Sequence, residues 1–336
     1  MNRPPAESKL VPVAQLRSFA AACLKAAGLR SEHADQLAEL LSDSDLRGVR
    51  SHGTRAIAGY CTRLRDGGNN PNPDLQILQD TPTTVLVDGD GGLGYAPMMQ
   101  ATEMAIAKAK EHKVALGAAC HHGHYGSAGH YVRRAMEEGC TAFSVQGAHS
   151  TRFGEGGGNK GQQSAYWGNP PISFGFPAEE EPPLILDAAT CIMADYHRGP
   201  EYDALQELIP PAFFKSMGYT GSALALGGAF VGQNSDRARA IAEQWPRANN
   251  GGLIIVMDIG AFAPPEAFRE GIDNLVRGVR KTMEPVKGYQ EATLPGTIED
   301  RNSKEYTHTG VPMALEDLKR LTACGHEFGI TAEWEQ

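Results

Sequence analysis

Several features common in other protein classes are missing from this chain. No stretch of its 336 residues approaches the roughly 20 consecutive apolar residues of a membrane span, so no membrane protein of the helical type is expected. The first residues, MNRPPAESKLVPVAQL, lack the apolar run of a signal peptide. The six cysteines (Cys23, Cys61, Cys120, Cys140, Cys191, Cys324) are scattered and include no C-x-x-C pair. That disfavours a disulfide framework and points to reduced thiols in a cytoplasm. Positive charge is also short. Lys and Arg number 31 against 40 Asp and Glu, a net charge of −9, which argues against a nucleic-acid partner. An anionic substrate must then meet a local positive pocket.

The remaining composition is that of a folded soluble protein, with 41% hydrophobic and 21% charged residues. The length suffices for one large or two ordinary domains. Residues 11–28 carry apolar side chains at helical spacing and end in Gly. A second helix is expected over 31–46 with Ser31 as its N-cap, and a third over 54–65. NNPNP at 69–73 reads as a loop and a domain junction. The chain then alternates. Strands are expected at 83–88, 114–119, 141–146, 171–175 and 183–187, with helices at 96–112 and 127–138, an α/β pattern. After a Gly-rich polar loop at 151–164 come helices near 219–230 and 236–246, a strand at 253–259, a helix at 265–283 and a last helix in LEDLKRLTACGHEF.

VLVDGDGGLGY, residues 85–95, contains a literal G-x-G-x-x-G in Gly89, Gly91 and Gly94. A Rossmann site would also need an acid at the end of the second strand, to hold a ribose. That strand instead ends in Cys120-His121-His122, and Asp88 and Asp90 flank the glycines and would oppose a pyrophosphate. A tight turn is the better reading.

Three stretches could carry chemistry. Arg47-Gly-Val-Arg50-Ser51-His52-Gly53, with Arg55 beside it, combines carboxylate-matching forks with a proton-exchanging imidazole. Its plainer reading is a solvated basic turn. Cys120-His121-His122-Gly123-His124-Tyr125-Gly126 could be a metal cluster, but it lacks H-E-x-x-H or cysteine-pair spacing, and no metal is expected. One catalytic imidazole at a strand-to-helix turn is preferred. In LILDAAT, Asp187 leaves an apolar run, where it could fix a histidine tautomer, hold a ligand or cap a helix.

Taken together, R-G-x-x-S-H-G, D-G-D-G-G-L-G, H-Y-G and L-D-A-A-T, in this order, resemble the type-2 malate/L-lactate dehydrogenases. That family includes ureidoglycolate, sulfolactate and diketogulonate dehydrogenases and cyclic imino-acid reductases. The resemblance is strongest over 40–190 and returns at 265–283 and at Leu294–Gly296. It implies a non-Rossmann α/β fold, with a mixed sheet flanked by helices over 76–289 and a smaller helical part built from 1–75 and 290–336. It also implies a homodimer, a small carboxylate substrate and NAD or NADP as cofactor. By position it makes His52, His124 and Asp187 catalytic. Lys215, Asn169 and Thr190 fall where the family meets its cofactor. Arg47, Arg50 or Arg55 would hold the substrate carboxylate.

Departures from the family pattern are as specific. The family's arginine four residues after the S-H-G histidine is Ala56 here, and Arg55 stands one place off. A cofactor-side Ser or Thr is Ala148. G-T-N-P reads Gly168-Asn169-Pro170-Pro171, and the lysine motif has become Lys215-Ser216-Met217-Gly218. The segment between Asp187 and Lys215 is short, while a Gly-rich insertion precedes Trp167. Lys160 in that insertion could replace lost phosphate contacts. Two further readings therefore stay open: a lyase, hydratase or isomerase using the same His and Asp without a cofactor, and a non-catalytic metabolite binder.

Overall fold

The computed structural model describes residues 3–148, 169–192 and 199–335. The chain forms two compact units: Met1–Pro73 with Phe176–Ile185 and Pro264–Gln336, and Asp74–Gly175 with Leu186–Ala263.

The first unit is mainly helical. Helices α1 (Val13–Ala26) and α2 (Ser31–Leu46) pack together through Leu16, Phe19, Ala20 and Leu24 on one side and Leu37, Ala38 and Leu41 on the other. Ser31 is the first helical residue of α2 rather than its cap. The cap position belongs to Arg30, and no side chain bonds there. Two short 3-10 turns, Arg50–His52 and Thr54–Ala56, lead into α3 (Ile57–Arg65). Near the carboxyl end, α9 (Pro265–Thr282), α10 (Thr297–Thr309) and α11 (Leu315–Glu327) join the unit. β1 (Ser8–Val11) pairs antiparallel with β9 (Val311–Ala314), so the two ends of the chain share a two-stranded sheet.

The second unit is built on a seven-stranded sheet. It uses β2 (Gln76–Asp80), β3 (Thr84–Asp88), β4 (Val114–His122), β5 (Cys140–Ala148), β6 (Pro171–Phe176), β7 (Leu184–Ala189) and β8 (Asn250–Asp258). Their order is β2-β3-β4-β8-β5-β6-β7. β3 and β4 run parallel, whereas β8 is antiparallel to both β4 and β5. The expected mixed, non-Rossmann sheet is what forms. Helix α4 (Tyr95–His112) packs on β3, β4 and β8 with Met98, Ala101, Ala105 and Ala109 inward, and α5 (Gly129–Glu137) packs on β5. α6 (Pro200–Leu208) precedes α7 (Pro210–Leu224), a π-turn at Ala225–Ala229 and α8 (Asp236–Gln244). Among the described residues no helix is long and apolar enough to cross a membrane.

Candidate active site

In the second unit the glycine stretch between β3 and α4 is a turn whose N–H groups are already used. Gly89 N–H donates to the Cys120 carbonyl (2.8 Å), Gly91 to His121 (2.9 Å) and Gly94 to His124 (3.0 Å). A Cβ on Gly89 would lie 2.7 Å from the Cβ of His122. These glycines let the turn lie against the end of β4, so their donors serve protein carbonyls rather than a pyrophosphate.

That packing fixes the histidine stretch. β4 is longer than expected and runs through His122, with a register shift against β8 between Ala119 and His122. His121 sits in the left-handed region at φ 54°, a costly conformation for a non-glycine residue. Its Nδ1 lies 3.0 Å from Asp88 Oδ1, and Asp88 Oδ2 accepts from Arg237 Nε at 2.7 Å. Burial pushes the Asp88 carboxyl up, but bonds from His121, Asp90 N–H and Arg237 outweigh it and hold the group below its ordinary range. Burial lowers His122 to about 4, so it is neutral, and its Nδ1 is bonded to the Gly123 carbonyl (2.7 Å). His124, by contrast, is only half-buried and stands edge-on to Tyr95, with ring centroids 6.4 Å apart.

Asp187, on β7, reaches the loop that follows His124. Its Oδ2 accepts from the Ser127 hydroxyl and from Gly129 N–H (3.1 Å), at the start of α5. A carboxylate there is favoured by the unpaired N–H groups and the dipole of the helix. Asp187 does cap a helix, but one some 60 residues away in sequence, and in doing so it pins the His124 loop. Ser127 is not among the residues that the motifs single out, although a serine just before a helix is itself an N-terminal signal.

Past β7 the chain turns at Thr190–Ile192. Thr190 is buried. Its hydroxyl donates to Pro170 O (2.8 Å), and its carbonyl accepts from the Ser216 hydroxyl (2.8 Å) on α7. Ser216 Oγ also accepts from Ile192 N–H (3.1 Å). Asn169 is exposed, with its Oδ1 receiving the Cys191 thiol (2.9 Å). Lys215 is exposed on α7 beside Ser216. Asn169, Thr190 and the Lys215 stretch thus meet at one turn, with Thr190 in its interior and Lys215 outside. Lys160 and the insertion lie outside the described residues.

In the first unit, the basic turn is organised by carboxylates. Arg47 pairs with Asp43 one helical turn back (2.9 Å). Arg50 and Arg55 both reach Asp317 on α11, at 2.8 and 3.8 Å. His52 is half-buried, with Nδ1 2.9 Å from Ser51 Oγ. Beneath the turn, the buried Asp45 carboxylate accepts from Thr54 N–H (2.8 Å) and the Thr54 hydroxyl (2.6 Å). Gly53 lies directly on that carboxylate and leaves no room for a Cβ. Burial, countered by the Thr54 bonds and reinforced by Asp317, pushes Asp45 up to about 7. Neither Asp45 nor Asp317 carries a sequence signal, since acids near helix ends are commonplace.

Residues 11–210 match the family model described as malate/L-lactate dehydrogenase. The L-sulfolactate dehydrogenase of Methanocaldococcus jannaschii is 32% identical over 341 residues, covering 92% of this chain and 94% of its own. Ureidoglycolate dehydrogenase (NAD(+)) of Escherichia coli O157:H7 is 25% identical, covering 87% and 88%. Among solved structures, that of malate dehydrogenase from Pyrococcus horikoshii superposes with a TM-score of 0.81 at 24% identity, over 98% of each chain.

Proposed function

Because the chain belongs to the malate/L-lactate dehydrogenase family, we propose that it is a nicotinamide-dependent oxidoreductase of small carboxylic acids, interconverting a 2-hydroxy and a 2-oxo acid or reducing a cyclic imino acid. Its curated relatives are named dehydrogenases and reductases, and the chain is an enzyme of that kind. The observation that carries the reading is the Asp187 carboxylate fixed on the loop of His124 through Ser127 and Gly129. A pinned loop holds an imidazole at the geometry that proton transfer requires.

When bound, NAD or NADP supplies or takes up the hydride. The donors present are compatible with such a group in part. Lys215 offers an exposed cation for a phosphate and Asn169 an amide, while Thr190 acts as the buried knot that positions both. In the second unit His124, on the loop that Asp187 pins, is the candidate proton donor to the substrate oxygen or nitrogen. In the first unit the other candidate is His52, beside Arg50 and Arg55, which Asp317 holds as a pair and whose guanidiniums match a substrate carboxylate. Arg47 orders the turn through Asp43. The proposal extends to a cytoplasmic homodimer.

Calorimetric titration of the dialysed protein with NADH and then NADPH tests the reading. Micromolar binding of one of them is expected. His124→Gln should keep that affinity while lowering turnover on the preferred 2-oxo or imino acid by about 10²–10⁴-fold. Absence of binding up to millimolar of either cofactor would overturn the reading and favour cofactor-free elimination or isomerisation on the same histidines.

A further inference from the structure

At the end of the parallel pair β3–β4, three different metal-ligating side chains converge. Asp88 closes β3, and Cys120 and His121 lie near the end of β4. A carboxylate oxygen of Asp88, Sγ of Cys120 and a ring nitrogen of His121 all fall within 4.8 Å of one another. The imidazole nitrogen is 3.0 Å from the carboxylate oxygen and 3.4 Å from the sulfur. A tetrahedral ion with bonds of about 2.0 Å to nitrogen and oxygen and about 2.3 Å to sulfur needs ligand separations near 3.3–3.6 Å. The two spacings that involve the imidazole are therefore within a few tenths of an ångström of a coordination shell, and the sulfur lies within 4.8 Å of the carboxylate.

The backbone supports the same conclusion. Three buried polar groups of these types are seldom placed together without a reason, since each loses hydration. His121 accepts a left-handed φ of 54° that turns its ring toward Asp88, and the Gly91 N–H holds its carbonyl in place (2.9 Å). Arg237, about half exposed, binds the second oxygen of Asp88 and fixes the carboxylate plane, as outer partners of metal ligands do.

We propose that Asp88, Cys120 and His121 form a binding site for a divalent transition-metal ion, zinc foremost, separate from the His124–Asp187 site. One thiolate, one imidazole and one carboxylate make a mixed soft and hard set that suits zinc or cobalt and not magnesium or calcium. Binding releases one proton from the thiol. The imidazole proton moves from Nδ1 to Nε2, so that Nδ1 becomes a donor to the ion. Three protein ligands leave one position for water.

The test is a titration of untagged, chelator-treated protein with cobalt(II), read by absorption. One equivalent should produce a sulfur-to-cobalt charge-transfer band and tetrahedral ligand-field bands, and zinc should abolish both by displacement. Cys120→Ala should lose the charge-transfer band, whereas Cys61→Ala, in the other unit, should keep it. No band in the unaltered protein, or a band that survives in Cys120→Ala, overturns the proposal. Zinc K-edge absorption of the unaltered protein checks the site without any substitution. One sulfur with nitrogen and oxygen ligands is expected, and a shell without sulfur or with two or more sulfurs overturns it. Both readouts are independent of turnover.

Discussion

Asp45 is a residue whose chemistry departs far from its sequence appearance. Its carboxyl is wholly buried, held up to about 7 by that burial and neighboured by Thr54, Asp317 and Arg50. Unfolded, the same group titrates near pH 3.9. Between about pH 4 and pH 7 the folded chain therefore holds a proton that the unfolded chain gives up. The contribution of Asp45 to stability is complete below about pH 4 and is lost as pH rises through about 7. The shift is worth on the order of 4 kcal/mol. Asp45→Asn retains an oxygen for Thr54 and cannot ionise. Its unfolding free energy should gain on that of the parent by a few kcal/mol between pH 4 and pH 8, measured by urea denaturation. Parallel pH curves would contradict the assignment. What sequence could say here was limited. Arg50, His52 and Arg55 stood out by type, but Asp317, which organises two of them, is 267 residues from Arg50. Side chains that short-range patterning cannot connect are joined only by the fold.

Among the elements, those with a strong apolar period were legible. α2, α4, β5 and β8 lie close to their expected spans because each buries a regular set of side chains. Among the elements missed, two lack such a set. All five residues of β2 are exposed, and α10 buries only Thr297 and Tyr306. The link between α7 and the turn after β7 was equally hidden, because it is made of hydroxyls. Ser216 serves Thr190 O and Ile192 N–H at once, and Thr220 Oγ1 lies 3.0 Å from Thr190 Oγ1. Ser216→Ala leaves a buried carbonyl and an N–H without that partner and should cost about 1–3 kcal/mol, seen as a lower urea midpoint at unchanged slope. If Lys215 and Asn169 hold the cofactor, the same substitution weakens NAD(P)H binding as well, since it loosens the turn that places them.

For the molecule as a whole, the α/β class was readable from alternating strand and helix patterns and the mixed sheet only from the family resemblance, while the strand order was in neither. β8 follows β5 by about a hundred residues, yet it lies between β4 and β5 and pairs with both. Periodicity identified it as a strand and gave no hint of its neighbours. The consequence concerns synthesis. While a ribosome is still short of Asn250, β4 and β5 have left the exit tunnel as two apolar edges with no strand to join them. Nothing in the earlier sequence can close that gap, so the nascent second unit must wait for the arrival of nine late residues, Asn250–Asp258, before its sheet becomes continuous. A second-unit fragment of residues 74–249 should accumulate in the insoluble fraction, while one of residues 74–263 should be found in the supernatant. A soluble, cooperatively melting short fragment would show that the two halves of the sheet can stand apart. Vectorial folding in this chain is thus gated by its last central strand, and its exposure to chaperones and proteases during translation follows from where that strand is encoded.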